Sequence, residues 1–123
     1  MPEPDRIRAA VRRYLDTVAT GTAAEIAALY HENATLEDPV GSPAHTGRAA
    51  IEKFYSAIES SRRRTELLST RVSGDNAAFA FRVVTETDDN TITVEPIDVM
   101  TFDENALITS MRAFWSSEDI TFG

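Results

Sequence analysis

The 123-residue sequence contains no cysteine, only one lysine and only two histidines. The absence of cysteine excludes disulfides, thiolate metal ligands and a cysteine nucleophile. His31 and His45 stand apart without clustered carboxylates, so we expect surface roles for both and no metal site. No apolar run approaches the roughly 20 residues that a membrane helix needs, and the N-terminal MPEPDRIRAA lacks the apolar core of a signal peptide. These absences predict a cytoplasmic protein that does not insert into a membrane.

Positive charge is also scarce, because 20 acidic residues outnumber 12 basic ones and give a net charge of −8. Binding to a nucleic-acid backbone needs a basic surface, so we expect no nucleic-acid partner. The only basic run is SRRRTE, residues 61–66. We interpret it as the solvated end of a helix, where arginine suits the helix dipole. The length and the 42% apolar content fit one globular domain over residues 1–123.

Apolar residues in the first half follow helical spacing. Asp5 is a suitable N-cap for a first helix, and Gly21 ends that helix. Its apolar stripe consists of Ile7, Val11, Tyr14 and Val18, at intervals of four, three and four. Two further helices are predicted, one carrying Ile26, Leu29 and Tyr30, and one starting near Thr46 and carrying Ile51, Phe54, Tyr55 and Ile58. Between these helices ATLEDPVG is expected to be extended, because Pro39 disfavours helical backbone at Asp38.

The second half alternates apolar and polar residues, as strands do. The predicted strands are ELLSTRVS, AAFAFRVVTE, TITVEPIDVMTF and LITSMRAFWSS, separated by the turns GDN, TDDN and DENA. Helices followed by an antiparallel meander are typical of the α+β class. We therefore predict three N-terminal helices packed on a curved antiparallel sheet. Such a layout leaves an apolar pocket between the two layers, into which a few polar groups converge.

Asp98 is the residue that fits its surroundings least. It lies in VEPIDVMTF on the same face as Val94, Pro96, Met100 and Phe102, and the opposite face is also mostly apolar. Burying a carboxylate without a cationic partner costs several kcal/mol. The acid can avoid this cost by staying protonated, with its pKa raised by desolvation, and it is then a hydrogen-bond donor. Beside a tyrosine it would form an oxyanion hole. A purely structural aspartate bonded to backbone or to a tyrosine is the alternative.

The three tyrosines, Tyr14, Tyr30 and Tyr55, all fall on apolar stripes of predicted helices. Each alone would be an ordinary core tyrosine whose hydroxyl reaches a partner at the edge of the core. Because these are all the tyrosines of the chain and each lies on an apolar stripe, a hydrogen-bonded cluster of phenols is a better prediction than three independent core tyrosines. Asp38, which precedes Pro39, would by itself be typical of a turn.

The segments RRYLDTVATGTAAEIAALYHENATLEDPVG and PIDVMTFDENALITSMRAFWSS resemble ketosteroid isomerase, also called steroid delta-isomerase. The resemblance covers nearly the whole chain, from Tyr14 to Trp115, and its most specific parts are ATLEDPVG, GRAAIEKFY and IDVMTFDE. It implies a conical sheet with helices inside the cone, like nuclear transport factor. It also implies a homodimer without a metal or organic cofactor. This family is itself the established example of a carboxylic acid kept neutral at pH 7.

The resemblance further implies conversion of 3-oxo-Δ5-steroids to conjugated 3-oxo-Δ4-steroids through a dienolate. Asp38 matches the general base of the family, and Tyr14 and Asp98 match its two oxyanion-hole donors. Tyr30 and Tyr55 match the phenols that extend the hydrogen-bond chain behind Tyr14. The positions that match the apolar steroid pocket are Phe54, Phe81, Val83, Met111 and Trp115.

Other activities on the same fold remain as alternatives, including a binding module and a lyase or isomerase acting on another apolar ketone. A dehydratase would be expected to use a His-Asp pair, for which neither histidine is placed. An epoxide hydrolase would pair carboxylates with a buried arginine, but Arg82, in mid-strand, alternates outward. Two features depart from a regular strand near Asp98: Pro96, which should lie at a bulge or edge, and Glu95, which we expect to be outward and solvated.

Overall fold

Three helices lie in the first half of the chain, as predicted. The computed structural model describes residues 2–123 and shows α1 at Pro4–Thr20, α2 at Ala23–Ala27 and α3 at Arg48–Ser56. The N-cap of α1 is Glu3, not Asp5, because Pro4 occupies the first helical position, where a missing N–H costs nothing. Gly21 caps the C-terminus of α1, and its N–H bonds the Thr17 carbonyl at 2.7 Å.

Eight strands form one curved sheet that the helices cover on one side. The strands are β1 (Tyr30–Glu37), β2 (His45–Thr46), β3 (Arg62–Ser73), β4 (Asn76–Glu86), β5 (Thr91–Val94), β6 (Ile97–Phe102), β7 (Ile108–Phe114) and β8 (Ile120–Phe122). Their order is β2-β1-β7-β6-β4-β5-β8, and β3 pairs with β4. The α+β prediction is confirmed. One pair differs from the antiparallel meander, since β1 runs parallel to β7, to which no hairpin connects it.

Pro96 divides what the sequence suggested was one long strand. β4 pairs with β6 along its first half and with β5 along its second half. Pro96 lies between these two ladders, and its carbonyl accepts a bond from the Phe81 N–H at 3.3 Å. The prediction of one strand over TITVEPIDVMTF is therefore wrong: Pro96, expected at a bulge or edge, lies where ladder pairing is interrupted and a residue without an N–H is tolerated.

Two predictions of local structure are wrong. Tyr30 begins strand β1, pairing with Ile108 of β7, and does not continue the second helix. The basic run Arg62–Arg64 begins strand β3 and is not a helix end. Its middle residue, Arg63, is buried against the helices because alternation in the strand turns it inward. Both errors bear directly on the site.

The core lies between α1 and the concave face of the sheet. Ile7, Val11 and Leu15 of α1 are buried there, and the Thr65 hydroxyl of β3 donates to the Leu15 carbonyl at 2.9 Å. No helix within residues 2–123 is both long and apolar enough to cross a bilayer.

Candidate active site

One cavity between the helices and the sheet brings Tyr14, Asp38 and Asp98 together. They come from three separate elements: Tyr14 from α1, Asp38 from the segment after β1, and Asp98 from β6. The cavity has a volume of about 170 Å³ and opens to solvent at its mouth. Most of the wall is apolar, so the few polar groups act in a medium of low dielectric constant.

Asp98 is the most deeply buried acid of the site, with 1% of its surface exposed. Alternation in β6 turns it inward, and it is paired in register with Phe79 of β4. Its Oδ1 atom has no hydrogen-bond partner among the described residues. Burial raises the pKa of this carboxyl well above its usual range, and the charge of Asp38 adds to the effect. Burial thus favours the protonated form of an acid that has an unoccupied hydrogen-bonding position.

The three tyrosine hydroxyls form a chain with Tyr55 in the middle. The Tyr55 hydroxyl lies 2.9 Å from that of Tyr14 and 2.7 Å from that of Tyr30. Burial raises the pKa of each phenol well above its usual value, so all three keep their protons at neutral pH. Tyr14 and Tyr55 reach the cavity wall, and Tyr30 is fully buried behind them. The predicted phenol cluster exists, although Tyr30 reaches it from a strand.

Asp38 is held by the indole of Trp115, whose Nε1–H donates to Oδ1 at 2.6 Å. Burial raises the pKa of Asp38, while this bond and the nearby His45 lower it. The two effects keep the carboxylate desolvated yet chargeable, as a general base requires. His45 thus lies closer to the site than its expected surface role implied. It is half-buried, with its ring centroid 5.1 Å from that of Phe54.

The structure places four of the five predicted pocket residues on the cavity wall: Phe54, Phe81, Val83 and Trp115. Met111 is different, since it is 1% exposed and belongs to the core beneath the cavity. It faces inward on β7, where its register partners Met100 and Leu36 are fully buried core residues. The residues that the sequence reasoning missed on the wall are Val18, Ile58, Arg63, Thr85, Val94, Pro96 and Ala113.

Some of these missed residues carried a usable signal. Val94 and Pro96 share the Asp98 face by strand alternation, which could have placed them on the wall. Arg63 carried none, because its segment was assigned to a helix end.

Within residues 2–123, no arginine bridges the two cavity carboxylates. Arg82 points outward as predicted and pairs with Glu66 at 2.7 Å and with Glu95 at 2.6 Å. Glu95 is outward, as expected, although it has this partner. Arg63 does line the cavity, but the bonds it forms within residues 2–123 go to backbone carbonyls. The arrangement expected of an epoxide hydrolase, carboxylates joined by arginine, is not formed.

Comparison with known proteins agrees with the geometry. Residues 11–111 match the family model of the SnoaL-like domain. The chain is 57% identical over 114 residues to a steroid Delta-isomerase from Nocardioides simplex, covering 93% of each protein. The structure of SalBIII, an epoxide hydrolase/cyclase-like enzyme in pyran ring formation, superposes with a TM-score of 0.90 at 27% identity over 98% of both chains.

RV0760c from Mycobacterium tuberculosis superposes with a TM-score of 0.89 at 22% identity over the full length of both chains, a likeness of fold alone. The family match spans most of the chain, and the similarity to the steroid Delta-isomerase covers 93% of each protein. The protein therefore belongs to the SnoaL-like domain family and, within it, to the steroid delta-isomerases, also called ketosteroid isomerases.

Proposed function

We propose that the protein is a steroid delta-isomerase that converts 3-oxo-Δ5-steroids to the conjugated 3-oxo-Δ4-steroids. One observation, the set of groups that line the cavity, supports this assignment. Two aspartates, one of them with an unpartnered buried oxygen, and a tyrosine at the end of a phenol chain line the same apolar cavity. These are the groups that an intramolecular proton transfer next to a ketone needs: a base, and two donors for the enolate oxygen.

Asp38 is the base in this mechanism. The proton on carbon 4 is acidic because it lies between the ketone and the double bond. Asp38 takes that proton, and the electron pair moves through the ring system to leave negative charge on the ketone oxygen. Burial raises the pKa of Asp38 and so strengthens it as a base, while the Trp115 bond keeps it ionised and fixes its orientation.

Tyr14 and Asp98 donate hydrogen bonds to that oxygen. Their effect is catalytic because the charge they meet grows from the ketone to the dienolate. Each hydroxyl has one proton, so when Tyr14 donates to substrate, Tyr55 must donate to Tyr14 and Tyr30 to Tyr55. A chain ordered in this direction polarises the terminal phenol and strengthens its bond to the oxyanion.

Asp38 then returns its proton to carbon 6, which moves the double bond into conjugation with the ketone. The same carboxyl performs both transfers, so the proton must not exchange with water in between. Phe54, Phe81, Val83 and Trp115 supply the apolar walls that exclude water during this interval.

The absorbance of the conjugated enone tests the assignment directly. Wild-type protein is expected to convert 5-androstene-3,17-dione, and Asp38→Asn to lose most of the activity while its circular dichroism spectrum is unchanged. The same substitution at the exposed Asp16 is the matched control and should leave the rate at the wild-type level. A wild-type rate no higher than that of Asp38→Asn would remove the assignment.

A homodimer is the second part of the proposal. Ile97 and Phe114 are register partners on the outer face of the sheet and are 50% and 41% exposed. The Arg82 and Arg112 ion pairs lie on the same face, so both charge signs are present for a two-fold related copy to match. Sedimentation at micromolar concentration is expected to give twice the chain mass, and Ile97→Asp to give a monomer. A monomeric wild type would refute this part. A cytoplasmic location stays a prediction.

A further inference from the structure

The cavity has a second polar end, far from the carboxylates. Asp98 is paired with Phe79 of β4, while Arg63 is paired with Thr85 of the same strand. From Phe79 to Thr85 is six residues, so the backbone positions of the two rows are at most about 20 Å apart along β4, at about 3.3 Å per residue. Arg63 and Thr85 nevertheless line the same cavity as Asp98. The wall between these two ends is apolar, formed in part by Phe81 and Val83.

Arg63 is 8% exposed and is held by the C-terminal ends of two helices. Its Nε donates to Val18 O at 2.6 Å and its Nη2 to Gly21 O at 2.9 Å, both at the end of α1. Its Nη1 donates to Ser61 O at 3.0 Å and to Ile58 O, both after α3. Carbonyls at helix C-termini carry partial negative charge, which accounts for a guanidinium buried at this place.

These bonds do not use every hydrogen-bond donor of the Arg63 guanidinium. A guanidinium has five N–H donors, and the carbonyls take four of them, leaving one on Nη2. No carboxylate within residues 2–123 forms an ion pair with Arg63, so its charge is balanced only by dipoles. The hydroxyl of its neighbour Thr85 forms no hydrogen bond in the described part of the chain. A desolvated cation and two free donors therefore face the far end of the cavity.

We propose that Arg63 and Thr85 recognise a hydrogen-bond acceptor at the end of the substrate opposite the ketone, and that the preferred acceptor is an ionised carboxylate. This inference rests on the proposed isomerase function and specifies the substrate class. Along β4, six residues separate the row of Asp98 from the row of Arg63, so Arg63 meets the end of the substrate farthest from the ketone. The group that meets Arg63 is accordingly carried on a side chain of ring D, and the substrate is a 3-oxo-Δ5-steroid with an acidic side chain. A carboxylate there receives charge-assisted bonds in an apolar setting, where they are strongest.

A matched pair of substrates tests the inference: a 3-oxo-Δ5-steroid with a side-chain carboxylate, and its methyl ester. The rings and the reacting atoms of the two substrates are identical. The ratio of the two kcat/KM values therefore measures only the effect of the side-chain group at the far end of the cavity. The wild type is expected to favour the acid by about ten- to hundredfold, mainly through KM, since a bond to a charged group is worth this much. Equal rates for acid and ester would overturn the inference.

Substitutions test whether Arg63 and Thr85 cause the preference for the acid over the ester. Arg63→Met should remove most of it, while Arg64→Met, which makes the same change on the exposed face, should keep it. Should Arg63→Met fail to fold, Thr85→Val provides a second variant and should reduce the preference several-fold. An acid preference that persists unchanged in whichever of these variants folds would overturn the assignment.

The inference and the proposed function fail in different ways. A protein that isomerises both substrates equally has the proposed function without the carboxylate site. If neither substrate reacts, the proposed function fails, and quenching of Trp115 fluorescence by the Δ4 acid and the Δ4 ester still measures their relative affinity. Tighter binding of the acid would support the site under that outcome, and equal binding would overturn it.

Discussion

The substitution Asp98→Asn is expected to stabilise the protein while reducing its activity only moderately. Asp98 is 1% exposed, and its Oδ1 has no partner among the residues described. An asparagine has nearly the same shape and also donates a hydrogen bond, but it cannot ionise. The two consequences, for stability and for catalysis, follow from the same proton and can be measured separately.

The stability effect has a defined sign and slope. Burial raises the pKa of Asp98 well above 3.8, the value of an aspartate in the unfolded chain. Above that value the unfolded carboxyl loses its proton while the native one keeps it, so the native state binds more protons and stability falls as pH rises. The penalty grows by about 1.4 kcal/mol per pH unit until the native carboxyl also ionises. Asp98→Asn removes this penalty, so its advantage should be near zero around pH 4 and grow with pH.

Urea unfolding at a series of pH values from about 4 to about 7 measures the slope. The same substitution at the exposed Asp89 is the matched control, and its difference from wild type should not grow with pH. A flat difference for Asp98→Asn over this range would mean that the native carboxyl ionises with the unfolded one, and the neutral-donor mechanism would be wrong.

The kcat values of two Asp98 variants show whether this residue acts by donating a hydrogen bond. Asp98→Asn should lower kcat by about tenfold because an amide N–H is a weaker donor than a carboxylic O–H. Asp98→Leu removes the donor altogether and should lower kcat by about 10²–10³, as loss of one oxyanion-hole donor does elsewhere. Both variants should show the same gain in stability with pH. Equal activity losses for Asn and Leu would refute donation by Asp98.

Two other substitutions test the residues that hydrogen-bond to Asp38 and to Tyr14. Trp115→Phe removes the indole hydrogen bond that lowers the pKa of Asp38. The acid limb of the kcat/KM–pH profile should therefore move to higher pH, while the plateau changes little. An acid limb that does not move would exclude this role of Trp115. Tyr55→Phe removes both hydroxyl contacts of the phenol chain, 2.9 Å to Tyr14 and 2.7 Å to Tyr30, and should lower kcat by about tenfold. Tyr14→Phe, which removes the donor itself, should cost more, and a reversed order would contradict the chain.

The architecture could be predicted because its signals are local. The stripe of α1 and the alternation in β4 and β6 each place an apolar face on the core, and those faces are buried as expected. Asp98 was identifiable for the same reason, since a polar residue within a correctly phased apolar face is visible in sequence.

Tyr30 could not be placed, because its interval of four from Ile26 continues the helical spacing of the preceding segment. What decides its conformation is pairing of Tyr30 with Ile108, 78 residues further along the chain. Periodicity within a short window contains no information about that partner.

Arg63 shows what sequence patterns leave out. Three consecutive arginines have no apolar alternation, so nothing distinguishes an inward arginine from its outward neighbours. Its burial depends on carbonyls from the ends of α1 and α3 meeting at one point, which only the folded chain provides.

Three of the ionisable groups on the cavity wall, Arg63, Asp38 and Asp98, are buried in different ways, and the differences distinguish a structural role from a functional one. Carbonyls at the helix ends accept four N–H bonds from Arg63, so its removal should destabilise the fold. Asp38 retains one donor, Trp115, and is an ionisable base. Asp98 has an oxygen with no partner and lowers stability at neutral pH, a cost that the fold alone does not explain. A destabilising group retained at the centre of a cavity is what selection for activity at the expense of stability produces. If that is the origin of Asp98, stabilising substitutions should be easier to find there than at Arg63, and each should reduce the isomerase rate.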